Sequence, residues 1–393
     1  MSACEKLIAG QYRDQFVVDV IQGGAGTSTN MNANEVIANL ALEKLGFEKG
    51  RYDILHPNDH VNASQSTNDV YPTAVRLALW SGIDRLLGSM ATLRRGFEAK
   101  ADEFKSVLKI GRTQLQDAVP MTLGQEFSTY AIMLEEDEAR LREARALIQE
   151  INLGATAIGT GINAPHGYAD LACKYLAEES RIPVVKAHNL IEATQDTGAF
   201  VQLSGVLKRV ATKLSKTCND LRLLSSGPQA GFGDIRLPPR QAGSSIMPGK
   251  VNPVIPEVMN QVAFEVIGND ITVTMASEAG QLQLNAFEPI MGRSLFKSIE
   301  HLSQACMTLQ VNCVAGIEAN HELLARRVRE SITLVTALNP IIGYEKAALI
   351  AKTAIASGAP VDQVAESLGI LTRLQLEALL VPEKLTQPLR PDA

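Results

Sequence analysis

The sequence has 393 residues, of which 46% are hydrophobic and 20% are charged, and its formal net charge at pH 7 is −6. This composition is that of an ordinary folded protein, and the length allows two or three domains. The negative charge argues against a nucleic-acid partner, and no apolar run reaches the ~18 residues of a membrane-spanning helix. We therefore expect neither a nucleic-acid-binding protein nor a membrane protein.

The five cysteines are scattered along the chain and none has CxxC spacing. An odd number of scattered cysteines predicts reduced thiols, and it favours neither a disulfide framework nor a zinc site. The N-terminus shows no signal-peptide pattern. The cytoplasm is the expected location.

The first polar block is GGAGTSTNMN, Gly23 to Asn32. A dinucleotide-binding GxGxxG motif fails here, because Thr29 stands where the third glycine is required. Two interpretations stay open. The block is either a hydroxyl-rich turn capping a helix over Asn34–Leu45, or a carboxylate site made by exposed backbone N–H groups and the Thr27 hydroxyl at a helix start.

A second polar block runs from His56 to Thr73. His56 and His60 have the spacing of a helical metal site, but Pro57-Asn58-Asp59 favours a turn and no HExxH glutamate follows, so no metal is expected. The segment Ser66–Asp69 is either a simple helix N-cap or a second cluster of small donors before a long helix.

Apolar periodicity predicts unusually long helices and few strands. The predicted helices cover Val75–Lys109, Thr122–Asn152, Pro253–Asn285 and Met291–Arg329, with Gly111–Pro120 interrupting between the first two. The clearest pattern is a seam stepping by threes and fours, which predicts close helix packing. It consists of Phe200, Leu203, Leu207, Val210, Leu214, Thr217, Leu221 and Leu224. Shorter helical patterns after Asn339 indicate a small separate helical domain.

The block GSSIMPGKVNP, Gly243 to Pro253, contains two prolines and two glycines and is predicted to be a mobile surface loop. It fails as a phosphate-binding loop because five residues separate its glycines and Val251 takes the hydroxyl position. It could be an ordinary connector. Alternatively, it brings hydroxyls, a cation and an amide within reach of one small anion.

Taken together, the first two blocks (GGAGTSTNMN with QSTND), then GRTQLQDAVP, then GSSIMPGKVNP resemble, in this order, the signature regions of the aspartase/fumarase superfamily. The resemblance covers essentially the whole chain, and QGGAGTSTNMNANEV, NDLRLLSSGP and EAGQLQLNAFEP are most similar to the aspartase branch. It implies a mainly α, three-domain fold with a central bundle of long helices. The expected division is an N-terminal domain at 1–65, the bundle with the catalytic loop at 66–322 and a C-terminal helical domain at 323–393.

The resemblance also implies an activity, the elimination of ammonia from L-aspartate to give fumarate through a doubly negative aci-carboxylate. Ser244 would be the base, and Glu257 matches the family's glutamate after the signature. The expected substrate-binding residues are Thr27, Ser66, Thr67 and Ser245 on the carboxylate that gains charge, Lys250 and Asn252 on the other carboxylate, and Asn68, Thr113 and Gln114 on the amino group.

The family pattern further implies a homotetramer whose active sites combine blocks from three subunits, with a small-molecule substrate and no cofactor or metal. Two departures keep alternatives open. Gln114 stands where many members have histidine, and members normally carry several dozen residues ahead of the first residue here. The alternatives are a class II fumarate hydratase and a catalytically silent, assembly-only short form.

Overall fold

The computed structural model describes residues 1–387, and within them the fold is mainly helical with six short strands, which confirms the predicted fold class. The helices are α1 Ser2–Ile8, α2 Thr27–Lys44, α3 Thr67–Glu103, α4 Leu123–Leu147, α5 Tyr168–Ser180, α6 Leu190–Ala193, α7 Gly198–Leu224, α8 Val254–Glu278, α9 Glu288–Asn312, α10 His321–Glu330, α11 Leu334–Ile342, α12 Tyr344–Ser357, α13 Val361–Ser367, α14 Arg373–Leu379 and α15 Pro382–Leu385.

The strands form three two-stranded sheets. β1 (Leu108–Thr113) pairs antiparallel with β2 (Gln116–Thr122), with Leu108 opposite Thr122 and Thr113 opposite Gln116. β3 (Glu150–Ile151) runs parallel to β4 (Val185–Lys186), and β5 (Ile235–Arg236) runs antiparallel to β6 (Glu318–Ala319). The predicted interruption at Gly111–Pro120 is therefore a β-hairpin.

One predicted helix is wrong. The segment Met291–Arg329 forms two helices, α9 and α10, separated by a 3₁₀ turn over Val314–Gly316 and by β6. The chain turns extended at Ile317, which is fully buried and whose carbonyl accepts a hydrogen bond from Lys100 at 2.8 Å. That contact joins residues more than two hundred positions apart, so local periodicity could not reveal the break.

The other long helices confirm the predicted elements with shifted ends. α3 begins at Thr67, eight residues before the predicted Val75, because Ser66 caps it. α7 holds the whole predicted seam, and all eight of its positions are buried. The seam is therefore a true packing surface.

The chain divides into two compact units. The first unit comprises 1–89, 137–212 and 261–304. One of its hydrophobic clusters surrounds the β3–β4 pair and α5, with Ile151, Leu153, Cys173, Ile182 and Val184 buried. This cluster supports the loop that follows β3.

The second unit comprises 90–136, 213–260 and 305–393, of which 388–393 lie outside the described residues. Edge-on and tilted aromatic contacts join Phe97, Phe104, Phe127 and Tyr130, with ring centroids 5.3 to 6.2 Å apart. A second cluster packs α10 to α14 around Leu334, as expected for a small C-terminal helical domain. The three-domain division at 1–65, 66–322 and 323–393 stays a prediction.

Among residues 1–387, none of the helices combines the length and the apolar character needed to cross a membrane.

Candidate active site

The GGAGTSTNMN block forms the start of α2, so the helix begins seven residues before the predicted Asn34. Gly26 is its N-cap residue, with φ of +90°, a conformation that L side chains rarely adopt. A Cβ on Gly26 would lie 2.7 Å from the ring of Tyr71. Glycine is therefore required here both for the turn and for the close approach of α3.

The hydroxyl of Thr27, an expected carboxylate ligand, donates to the Gly24 carbonyl at 2.6 Å. The side chain is exposed at the first position of α2. To donate to a substrate, the Thr27 hydroxyl would have to turn away from Gly24. The unpaired N–H groups of a helix start also favour an anion at this place.

The segment Ser66–Asp69 caps the 37-residue helix α3. Ser66 Oγ accepts from the Asn68 N–H at 3.3 Å, and Asp69 Oδ1 accepts from the Ser66 N–H at 2.9 Å. The Asp69 bond is the return bond of a capping box, while the Ser66 hydroxyl caps the second helical N–H. Both sequence interpretations of this segment are thus compatible, since a cap also orients small donors at a helix N-terminus.

Asp69 is fully buried and ties this cap to the loop after β3. Its Oδ2 accepts from the backbone N–H groups of Gly154 at 3.1 Å and Thr156 at 2.8 Å. The Asn68 amide donates to the Ala157 carbonyl at 2.7 Å. Burial raises the pKa of Asp69, although the N–H groups that bond it act in the opposite direction. The expected ligand Asn68 is therefore held from two sides.

Thr113 and Gln114 lie at the tip of the β1–β2 hairpin. Thr113 ends β1, and the two turn residues Gln114 and Leu115 have φ of +53° and +63°. Two consecutive left-handed residues are typical of a two-residue hairpin turn, which usually uses asparagine and glycine. Strain of this kind is concentrated at functional sites, which supports a role for Gln114.

A buried charge network fixes the base of this hairpin. Asp234, with no exposed surface, accepts from Arg112 at 2.7 and 3.2 Å and from Arg327 at 2.6 Å, and its Oδ2 lies 3.2 Å from Lys109 Nζ. Arg112 also lies over the Phe232 ring, 4.2 Å from its centroid. Burial alone would raise the pKa of Asp234, but the Arg112 hydrogen bond and the Lys109 charge outweigh it and hold that pKa below its usual range.

The GSSIMPGKVNP block is a surface loop with neither helix nor strand. The Gly243 N–H donates to the Lys250 carbonyl at 2.8 Å, and the Asn252 amide donates to the Gly243 carbonyl at 2.9 Å, which closes the base of the loop. Ser244 Oγ accepts from the N–H groups of Ile246 at 3.2 Å and Met247 at 3.1 Å. The loop therefore places two donors on the oxygen expected to act as a base.

A cavity of about 870 Å³ adjoins this loop within the second unit. Among its lining residues are Lys250, Asn252, Glu257, Arg222 and Arg236. Glu257 lies in the first turn of α8, where a carboxylate is also stabilised by the helix dipole. Cations, an amide and one carboxylate at a cavity wall suit a small, negatively charged organic molecule.

The structure joins the first two blocks directly, since the Asn30 amide donates to Thr67 Oγ1 at 3.0 Å. Thr27, Ser66, Thr67 and Asn68 lie in the first unit, whereas Thr113, Gln114, Ser244, Ser245, Lys250 and Asn252 lie in the second. Sequence reasoning gave Asn30 and Asp234 no role, and it named Asp69 only as part of the cap before α3. Only Asp69 had a local signal, because Ser66-x-x-Asp69 has capping-box spacing.

The fold and these blocks define a lyase of the aspartase/fumarase type. The profile of a family described as lyase matches residues 1–268, and that of a fumarase C C-terminus matches residues 334–387. The chain belongs to this lyase family, within the aspartase/fumarase superfamily.

Among curated relatives, an aspartate ammonia-lyase of Pseudomonas aeruginosa is 60% identical over 387 residues, covering 98% of this chain and 82% of the relative. A crystal structure described as fumarate lyase:delta crystallin from Brucella melitensis is similar with a TM-score of 0.95 and 58% identity, covering 98% of this chain and 84% of that one. A class II fumarase of Schistosoma mansoni has a TM-score of 0.90 at 34% identity, covering 99% of this chain and 85% of that one.

Proposed function

We propose that this protein is an aspartate ammonia-lyase, a carbon–nitrogen lyase that reversibly eliminates ammonia from L-aspartate to give fumarate. The observation that carries the proposal is its 60% identity, over 98% of the chain, to a relative of that name. The fumarase similarity is weaker, at 34% identity, so fumarate hydration is the less favoured activity. Gln114, which replaces the histidine of many superfamily members, favours the same choice.

In the proposed mechanism, Ser244 removes a Cβ proton of L-aspartate. A serine hydroxyl is a poor base in water, so the reaction requires its alkoxide form to be stabilised. The N–H groups of Ile246 and Met247, which point at Ser244 Oγ, supply two hydrogen bonds to that charge. Lys250, six residues on in the same loop, adds a positive charge.

The electron pair left on Cβ delocalises into the adjacent carboxylate, which becomes a doubly negative aci-carboxylate. We assign Thr27, Ser66, Thr67 and Ser245 to this group. Preorganised donors aimed at developing charge supply the largest part of catalysis in such reactions. The N-termini of α2 and α3, where Thr27 and Thr67 are the first helical residues, add the favourable end of two helix dipoles.

Lys250 and Asn252 would bind the other carboxylate by charge and by an amide hydrogen bond. Asn68, Thr113 and Gln114 would contact the amino group. The electron pair then forms the double bond and the Cα–N bond breaks, which releases ammonia and fumarate.

We further propose that the protein is a cytoplasmic homotetramer in which each site combines blocks from different subunits. Phe264, Ile271 and Met275 lie on one face of α8 and are 58% to 67% exposed, an apolar face that suits a covering helix from another copy. The cysteines support the location, since all five are free thiols.

The test is an assay of the purified chain with L-aspartate, following the ultraviolet absorbance of fumarate, with L-malate in parallel. Fumarate from aspartate and not from malate is the expected result. Fumarate from malate alone would assign a fumarate hydratase. Silence with both substrates from a folded tetramer would favour the assembly-only alternative.

A further inference from the structure

In the first unit, a series of hydrogen-bonded asparagine side chains ends at the hydroxyl of Thr67. Asn62 Nδ2 donates to the Gln65 carbonyl at 3.0 Å. Asn62 Oδ1 accepts from Asn34 Nδ2 at 3.0 Å and from Asn30 Nδ2 at 3.2 Å. Asn30 Nδ2 also donates to Thr67 Oγ1 at 3.0 Å. Asn30 and Asn34 are buried, with 9% and 5% of their surface exposed.

The Gln65 backbone carbonyl fixes the direction of every hydrogen bond in this series of amides. A backbone carbonyl can only accept, so Asn62 must turn its amino group to Gln65 and its oxygen the other way. That oxygen can only accept as well, so Asn30 must present its amino group to it. Turning the Asn30 amide over would place two oxygen atoms against each other. The bond to Thr67 therefore runs from Asn30 to Thr67.

Because Thr67 Oγ1 accepts from Asn30, the hydroxyl proton of Thr67 points elsewhere. Among residues 1–387, the hydrogen bond that the Thr67 hydroxyl accepts from Asn30 is the only one it makes, so its proton has no protein acceptor there. Thr67 is half-buried at the first position of a 37-residue helix, where the helix dipole favours an anion. The Thr27 hydroxyl differs, since its proton is committed to the Gly24 carbonyl.

We propose that Asn30 is a positioning residue that fixes the Thr67 hydroxyl as a donor toward a substrate carboxylate. Asn30 acts through Thr67 and does not itself touch the substrate. The inference rests on the proposed function only in taking a dicarboxylate as the ligand. Asn30 would thereby direct the Thr67 hydroxyl proton toward the carboxylate, so that Thr67 donates a hydrogen bond to the negative charge and does not present its lone pairs to it.

The experiment is a double-mutant cycle with two readouts. Calorimetry measures the affinity for succinate, a dicarboxylate that does not react, and steady-state kinetics give kcat/KM for L-aspartate. Asn30→Asp keeps the size of the side chain but offers only acceptors, so Thr67 would turn its proton toward it. Asn30→Asp and Thr67→Val are each expected to weaken succinate binding about tenfold or more, the loss of a hydrogen bond to a charged group. The double variant should bind succinate no more weakly than whichever single variant binds it less tightly. Thr67→Ser keeps the hydroxyl and should bind succinate nearly as tightly as the unmodified chain.

The control is Asn34→Ala, because Asn34 is buried and donates to the same Asn62 oxygen but has no hydrogen bond with Thr67, and alanine adds no acceptor against that oxygen. Its effect should add in full to that of Thr67→Val. If Asn30→Asp does not fold, Asn30→Ala takes its place in the cycle with the same non-additivity expected. Additive losses for Asn30 and Thr67 would overturn the proposal, and so would absence of succinate binding by the unmodified chain.

The two proposals fail separately. A chain that binds succinate but does not convert L-aspartate would overturn the proposed function, while the succinate cycle would still decide the role of Asn30.

Discussion

At the scale of single residues, the proposed chemistry centres on one oxygen atom, Ser244 Oγ, and on the two N–H groups that bond it. Ser244→Ala removes that oxygen and leaves the loop closure between Gly243 and Lys250 intact. We expect kcat for L-aspartate to fall by about 10²- to 10⁴-fold, the range contributed by general-base catalysis, with a much smaller change in succinate affinity. Steady-state kinetics and calorimetry measure the two effects.

The control for that variant is Ser357→Ala, which removes an exposed hydroxyl bonded to a helix carbonyl in α12. It should keep parental turnover. Near-parental turnover of Ser244→Ala in an intact tetramer would show that another group is the base.

A second residue-scale prediction concerns Glu288, the buried first residue of α9. Burial raises its pKa from 4.5 to about 7, although the charge of Arg76 acts in the opposite direction. The folded protein therefore holds this proton more tightly than the unfolded chain does. Charging Glu288 costs stability progressively as the pH rises from 4.5 to about 7, on the order of 3 kcal/mol in total, and the cost is absent below 4.5.

Glu288→Gln removes this titration. Its Tm minus that of the unmodified chain should therefore become more positive from pH 5 to pH 8, because only the unmodified chain loses stability as Glu288 ionises. Differential scanning calorimetry across that range measures the difference. A difference that stays constant would show that Glu288 is charged in the folded state throughout.

The roles of single residues were also the hardest to predict from the sequence. Thr67 and Ser244 could be proposed because their blocks resemble a known signature. Asn30 could not, because its partner Asn62 lies 32 positions away and its function depends on the direction of a hydrogen bond. Asp234 likewise binds Arg112 and Arg327 from distant segments. Residues that position other residues leave no local pattern.

At the scale of elements, the start of α2 depends on Gly26. Gly26→Ala would meet two penalties, a left-handed φ of +90° and a Cβ 2.7 Å from the Tyr71 ring. Gly46, just after α2, has a similar φ of +84° but open space around it. We expect Gly46→Ala to lower the free energy of unfolding by about 1 to 2 kcal/mol, and Gly26→Ala to lower it by about 1 to 3 kcal/mol more.

Urea unfolding of the two glycine variants measures the difference, and only Gly26→Ala should also lower turnover, since it displaces Tyr71 beside the proposed site. Equal destabilisation of the two variants would mean that Tyr71 moves aside at no cost.

Elements with strong periodicity were the most predictable. The seam of α7 repeats over eight positions, and every one is buried. The break between α9 and α10 was not predictable, because both flanks keep a helical apolar pattern and the break is stabilised by Lys100 from another helix. The hairpin was also missed, since Gln114 and Leu115 are unusual residues for its turn.

At the scale of the whole molecule, the sequence pointed to the family but not to the arrangement of copies. A periodic seam shows that helices pack, and neither its spacing nor the exposed face of α8 gives the number of subunits. The proposed sharing of sites between subunits therefore needs a test that depends on it directly.

Two inactive variants provide that test. Asn68→Ala would impair the first-unit part of each site and Ser244→Ala the loop part, so each homotetramer should have little activity. If each site takes these residues from different subunits, a mixture refolded together should regain up to about a quarter of parental activity, since random assembly supplies both intact residues to about one site in four. The same two variants refolded separately and then mixed are the control. No gain on co-refolding, with mixed tetramers shown by native mass spectrometry, would mean that a single chain supplies both residues to each site.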